Sequence, residues 1–275
     1  TGLALDNESV AKFGDNITLE FETSERVLNP KVTINDQEVT AVIRSSDKTG
    51  TSWQAVYSVK DNDTGKVVFS NFDAIDPAGF KLSYDSSITS SQNVTVDNNR
   101  PSVSSLEIST DNYSKTLFDG SGNPLPDQLV ANFPDNISIN FTTSERVMPG
   151  LKLRINGIER PVASRFDNGT VDKTGTQWQA FYVLGMADTG VLSLSEMDAY
   201  DPAGNLITFD PNLANKSVTM DNTPPKVTSV SLSTNNSGTL FNDLTGQARP
   251  NDLVAFYQDN VTLKFETSER VRIQP

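Results

Sequence analysis

Three short stretches bring together hydroxyls, a carboxylate and a guanidinium: FETSERV at 21–27, FTTSERV at 141–147 and FETSERV again at 265–271. A serine beside a glutamate and an arginine has the residue types of a nucleophile, a base and an anion holder. The chain contains no histidine and no cysteine. That removes the Ser-His relay, thiol chemistry, a zinc site and every disulfide together. What survives is the chemistry of carboxylates, hydroxyls and amides. Acidic residues number 35 against 22 basic ones, for a net charge of -13. Such a surface repels phosphate backbones and anionic membranes, so nucleic acid and direct membrane contact are excluded as expected partners. It suits Ca²⁺, a hard cation that takes carboxylate, amide and carbonyl oxygens, and it equally serves solubility.

The motif sits inside a longer repeat. DNITLEFETSERV (15–27), DNISINFTTSERV (135–147) and DNVTLKFETSERV (259–271) lie 120 and then 124 residues apart. KTGTSWQAVYSV (48–59) matches KTGTQWQAFYVL (173–184), FDAIDPAG (72–79) matches MDAYDPAG (197–204), and VTVDNNRPSV (94–103) matches VTMDNTPPKV (218–227). A period of this size read twice over signals tandem domains. We place repeat one at 1–99 with its first strand missing, repeat two at 100–224, and the start of repeat three at 225–275. No apolar run approaches the roughly 18 residues of a membrane span. No signal peptide opens the chain, which reads as an interior window of a longer array.

The repeated blocks alternate apolar and polar residues, the period of a half-buried strand, and no stretch has a helical period. In repeat two this predicts strands near 103–109, 136–143, 151–156, 160–166, 176–184, 190–199 and 215–220. Asn156-Gly157 supplies a two-residue hairpin turn, because both residues tolerate positive φ. Seven short antiparallel strands in about 100 residues predict an all-β, immunoglobulin-like sandwich for each repeat. A segment at 110–134, rich in Asn, Gly, Asp and Pro, is inserted between the first two strands. It reads as a long ordered loop pinned by Leu117 and Phe118. Trp53 and Trp178 read as core residues, and Asp15, Asp135 and Asp259 as turn residues.

The order DN-[IV]-[TS]-[IL]-x-F-x-T-S-E-R-V, W-x-A-x-Y, DxxDPAG and a closing VDN-x-x-P resembles the bacterial immunoglobulin-like tandem repeats of large surface adhesins and biofilm-associated proteins. The resemblance covers essentially the whole chain. It implies an extracellular, cell-surface, non-catalytic stalk, an extended monomeric rod whose partners are its own neighbouring repeats, with Ca²⁺ between domains in several members. The long insertion at 110–134 departs from the compact pattern of the family.

Antiparallel topology then assigns each loop to a pole. The second strand ends at one pole with Thr143, Ser144, Glu145 and Arg146, and the loop Asp198 to Gly204 exits at the same pole. The last strand ends at the other, before the proline-stiffened linker. The linker pair Asp97 and Asn98 is therefore expected to face Glu145, Asp198 and Asp201, an oxygen-rich set suited to Ca²⁺. At the next junction Asp221 and Asn222 would meet Glu269. Glu25, Asp73 and Asp76 would face a domain preceding repeat one. The competing reading is ordinary turn chemistry, since Asp before Pro-Ala-Gly and Asp-Asn before Pro bond their own backbone.

Three rival functions arise from other features. Asp198 with Asp201 has the residue types of a glycosidase pair, yet it recurs as Asp73 with Asp76 in a turn of the other copy that reaches this block, and enzymatic activity is not expected. Tyr113, Phe118 and Phe133 in the insertion suggest stacking on a sugar, which would make the repeats a carbohydrate- or host-surface-binding module with surface glycans as partners. Strand donation between chains is the third, since repeat one lacks its first strand while the C-terminus carries spare ones, and truncation of a longer array accounts for the same fact more simply. The N-x-[ST] sequons, Asn16, Asn136 and Asn260 among them, are read as incidental to an Asn- and Thr-rich composition.

Overall fold

A computed structural model describes residues 8–271, apart from 89, 91, 113–115, 168–169, 237–240, 243, 246 and 250–252. Residues up to Asp221 form one compact unit and those from Asn222 onward a second. The described residues are all-β, with a single three-residue 3₁₀ turn at Pro211–Leu213.

Repeat one holds β1 (Glu8–Ala11), β2 (Asn16–Glu22), β3 (Leu28–Ile34), β4 (Gln37–Thr40), β5 (Val42–Ile43), β6 (Ser52–Ser58), β7 (Gly65–Lys66), β8 (Phe69–Ile75) and β9 (Asn93–Val96). Repeat two follows with β10 (Val103–Thr110), β11 (Thr116–Phe118), β12 (Pro124–Ala131), β13 (Asn136–Thr143), β14 (Lys152–Ile155), β15 (Ile158–Pro161), β16 (Ala163–Ser164), β17 (Phe166–Asp167), β18 (Thr170–Val171), β19 (Gln177–Val183), β20 (Gly190–Val191), β21 (Leu194–Asp198) and β22 (Ser217–Met220). The second unit contains β23 (Val227–Thr234), β24 (Phe241–Asn242), β25 (Ala248–Arg249) and β26 (Val261–Thr267).

In repeat two one sheet runs β10-β13-β19-β16. Facing it are β11-β12-β22-β20 and β15-β14-β21. The alternation seen in the sequence decides what lies between them. Ile137, Ile139 and Phe141 of β13, with Trp178, Ala180 and Tyr182 of β19, turn to one side, and Leu153, Ile155 and Val218 meet them from the other. All are buried, as period-2 strands of a two-layer fold require. With no disulfide in the chain, this burial at roughly 25 cal/mol per Å² is what holds the sandwich.

The hairpin turn forms as read: Asn156 and Gly157 have φ of 48° and 74°. Repeat one solves the same turn with Asn35 and Asp36, at 45° and 61°. Asn and Asp visit this left-handed region at lower strain than other side-chain-bearing residues.

Two expectations need correction. The insertion at 110–134 is not a loop. It forms β11 and β12, and β12 pairs in parallel with β22, Gln128 opposite Ser217 through Ala131 opposite Met220. Leu129 and Ala131 of β12 are buried in the core, which the turn-rich composition around them concealed. Leu117 is half-buried and Phe118 exposed, while Tyr113 lies outside the described residues. The strand predicted at 190–199 is two strands, broken at Leu192 and Ser193, because β20 pairs with β22 and β21 with β14. In repeat one, β1 pairs in parallel with β9 as β12 does with β22.

Candidate metal centre at the junction of repeats one and two

The TSERV motif resolves into five separate tasks. The Thr143 hydroxyl donates to the carbonyl of Glu145 at 2.7 Å, as Thr23 does to Glu25 at 2.7 Å and Thr267 to Glu269 at 2.5 Å, closing the turn that ends the strand. Ser144 clamps the start of β10: its amide donates to the Ser102 carbonyl at 2.8 Å and its Oγ accepts the Ser102 amide at 3.0 Å. Arg146 lies over Gly175, where an added Cβ would sit 3.0 Å from its Cγ. Val147 is buried. Only Glu145 is left over from the scaffolding.

Gly175 belongs to the other repeated loop, Asp172-Lys-Thr-Gly-Thr. One Asp172 oxygen accepts the Thr174 amide and hydroxyl, and the other accepts the amides of Gly175, Thr176 and Gln177 at 3.0–3.1 Å. Burial raises this carboxyl, but the Thr174 hydroxyl and the backbone amides outweigh burial and hold it at about 2. Asp47 is held well below its usual range by the same set, the Thr49 hydroxyl first.

Glu145 meets two other carboxylates. Ligand oxygens of Asp97, Glu145 and Asp201 all lie within 4.8 Å of one another. Asp97 comes from the end of repeat one, Glu145 from the end of β13 and Asp201 from the loop after β21. Asp201 is 2% exposed. The loop is fixed by Asn205, whose amide N–H and Nδ2 each donate to one Asp201 oxygen at 2.8 Å, and whose Nδ2 also donates to the Asp97 carbonyl at 2.9 Å. A second tie across the junction is Lys12 Nζ, which donates to the Gly204 carbonyl at 2.6 Å. Burial, then the charges of Asp97 and Asp201, push the Glu145 carboxyl above its usual value. The site favours an added positive charge or a proton.

The remaining candidates are placed elsewhere. Asn98 does not join the cluster: its Oδ1 accepts the Phe13 amide, and its Nδ2 donates to the carbonyls of Lys60, Asp61 and Asp63, so it ties together loops of repeat one. Asp198 is exposed and its charge acts on Lys152. Glu25 and Asp73 are exposed, Asp73 near Lys31. Asp76 Oδ1 accepts the amides of Ala78 and Phe80 at 2.8 Å, an ordinary turn. The Asp221 amide donates to the Ala131 carbonyl. Asn222 and Glu269 belong to the second unit. Asp15 and Asp135 accept amides three residues back, from Lys12 and Asn132, and Asp259 accepts that of Phe256.

Sequence reasoning missed Asn205 and Lys12. Asn205 had a visible signal: DPAG is followed by Asn in repeat two and by Phe80 in repeat one. Lys12 had none, because it sits at a position where repeat two carries Asn132.

No family model matches the chain, and no curated protein matches it. A solved structure titled "Anomalous substructure of Titin-A168169" is similar over 78% of this chain and 94% of its own, with 13% identity and a TM-score of 0.22. At that TM-score the likeness carries no argument.

Proposed function

We propose that the chain is a non-catalytic stalk segment of a large extracellular bacterial adhesin, built from tandem immunoglobulin-like repeats, with its first junction stiffened by Ca²⁺. One observation carries the reading: the carboxylates of Asp97, Glu145 and Asp201 converge from two different repeats. Their donor set fits the cation. All are hard oxygens, each Asp201 oxygen uses one acceptor position on Asn205, and the Glu145 carboxyl is destabilised as an anion by burial and then by its two neighbours. Bound there, Ca²⁺ would neutralise the mutual repulsion and tie the repeats together, with carbonyl and water oxygens completing the six to eight ligands it takes. Asn205 and Lys12 would hold the linker and loop in place for it. The proline after each linker, Pro101 in the first and Pro224 in the second, restricts the chain between repeats.

The test is small-angle scattering of the whole chain with Ca²⁺ and with EGTA, alongside calorimetric titration. The expected result is a saturable Ca²⁺ site absent from Asp97→Ala, and a distance distribution that broadens on chelation. No heat of binding and a scattering profile indifferent to chelation would sink the calcium-stiffened junction and leave a proline-stiffened spacer.

A further inference from the structure

The copies share the core letters of their strands and differ in the letters between them. On the second strand repeat one carries Thr18, Glu20 and Glu22 at these positions, and the third copy carries Thr262, Lys264 and Glu266. Repeat two carries Ser138, Asn140 and Thr142, with no charge. In repeat one Glu20 is held by Arg44 at 3.3 Å. On the neighbouring strand Phe181, opposite Ser138, stands where repeat one has Val56 opposite Thr18.

These differences meet on one face, built wholly from strands of repeat two. On the side of the sheet away from the core, Phe181 lies opposite Ser138 and Gln179 opposite Asn140. Cross-strand neighbours lie about 5 Å apart and next-but-one residues along a strand about 7 Å, so the four side chains form one contiguous patch. Phe181 is 55% exposed. The amides of Asn140 and Gln179 and the hydroxyl of Ser138 make no side-chain hydrogen bond among the described residues. Charge is kept to the margins: Glu107 on β10, opposite Asn140, and Arg165, whose amide donates to the Gln177 carbonyl. On a chain of net charge -13, this is a neutral field of donors and acceptors around an exposed ring.

We propose that this face binds an uncharged polysaccharide, with the C–H face of one sugar ring on Phe181 and sugar hydroxyls on Ser138, Asn140 and Gln179. The negative face of an aromatic ring attracts the slightly positive C–H groups of a sugar. A side-chain amide offers both a donor and an acceptor, which is what a sugar hydroxyl needs. Charge complementarity selects the class. An anionic glycan would meet Glu107 and no cation at Asn140 or Gln179, and a cationic one would be held better elsewhere on this acidic surface. A protein partner would need roughly 800 Å² per side around an apolar centre. The apolar side chains here, Phe181 and Val183 with the small Ala163, are too few for that. The proposal is independent of the calcium site.

The test is affinity electrophoresis of the whole chain in EGTA, through native gels cast with mannan, galactomannan or hydroxyethylcellulose, and with alginate as the anionic control. The expected result is retardation in at least one neutral gel, and weaker or no retardation in alginate. Phe181→Ala and Asn140→Asp should each raise the apparent Kd at least fivefold, while Val56→Ala, the matching change in repeat one, leaves it unchanged. Both altered side chains lie on the outward face, and an unshifted calorimetric midpoint certifies the fold of each variant. Migration indifferent to all three neutral polysaccharides overturns the proposal, as does retardation that Phe181→Ala leaves intact. Retardation in alginate as strong as in the neutral gels overturns the uncharged class. Concentration-dependent sedimentation that Phe181→Ala abolishes, without retardation in any gel, assigns the face to a second copy of the chain and overturns the proposal too.

Discussion

Neutralising Glu145 should change the sign of its effect with calcium. Glu145→Gln removes one of three carboxylates whose oxygens lie within 4.8 Å of one another. A like-charge pair at that separation repels by about 0.9 kcal/mol in bulk water and about 3.5 kcal/mol at an effective dielectric of 20. Glu145 faces two such neighbours. It and Asp97 both touch solvent, so the low end of the range applies and the relief is about 2 kcal/mol at most. In EGTA the variant should therefore be more stable than the parent by about 1–2 kcal/mol, a midpoint rise of roughly 2–8 °C at 2–4 °C per kcal/mol for a unit of this size. With Ca²⁺ at about 100 times its Kd, the parent should gain about 2.7 kcal/mol, and Glu145→Gln less than a third of that. Differential scanning calorimetry in both buffers provides the four midpoints. A Glu145 that merely braced the fold would lose stability in both buffers. That outcome, or a full calcium shift in the variant, would refute the reasoning.

The same carboxyl makes the junction pH-dependent. Its folded value is raised, so the native state binds the proton more tightly than the unfolded chain, and stability falls as pH rises from about 4.5 through that raised value. In EGTA, calorimetry as pH falls from 7 toward about 4.5 should register a gain that Glu145→Gln lacks, while Ca²⁺ affinity weakens over the same range. Asp172 runs the other way: with a folded value of about 2, its contribution is complete above about 4 and is lost as pH falls toward 2. Asp172→Ala should accordingly lower the midpoint at pH 7 and flatten the acid limb. Asn205→Ala, which removes the bridge between the Asp97 carbonyl and the Asp201 carboxylate, should cost about 1–3 kcal/mol and speed amide exchange at Asp97 and Asn98. Phe141→Ala should cost about 3–5 kcal/mol as a fully buried truncation. Phe21→Ala in the half-covered copy should cost less, by urea denaturation.

Strand positions were legible because period-2 alternation is a local signal, and β13 and β19 lie where their apolar residues placed them. The hairpin at Asn156-Gly157 was legible for the same reason: positive φ selects residue type. β12 was not legible, because Pro124-Leu-Pro and its neighbours read as turn chemistry. Its strand character comes from parallel pairing with β22, nearly 90 residues further along the chain. At the site, Asp97, Glu145 and Asp201 could be brought together by assigning strand ends to poles. Pole assignment could not distinguish Asp97 from Asn98 or Asp201 from Asp198. Those choices depend on which way adjacent side chains point, and Asn98 is turned toward the carbonyls of its own repeat.

The comparison of copies explains why a motif repeated three times produces one acidic cluster among the described residues. Repeat one carries the same Glu and Asp at the same pole, Glu25 and Asp76, but Glu25 is exposed and Asp76 is engaged in its own turn. Asp201 makes a similar turn, yet it is buried, because Asn205 also reaches across to the carbonyl of a linker residue. At the corresponding place repeat one has Phe80, exposed and unable to make that bridge. The cluster is thus a property of a junction, with two carboxylates from the following repeat, one from the preceding linker, and an amide that holds them together. Substituting Asn205 by Phe would remove that amide from the junction, and this change should abolish the calcium response of the chain while sparing the fold of both repeats.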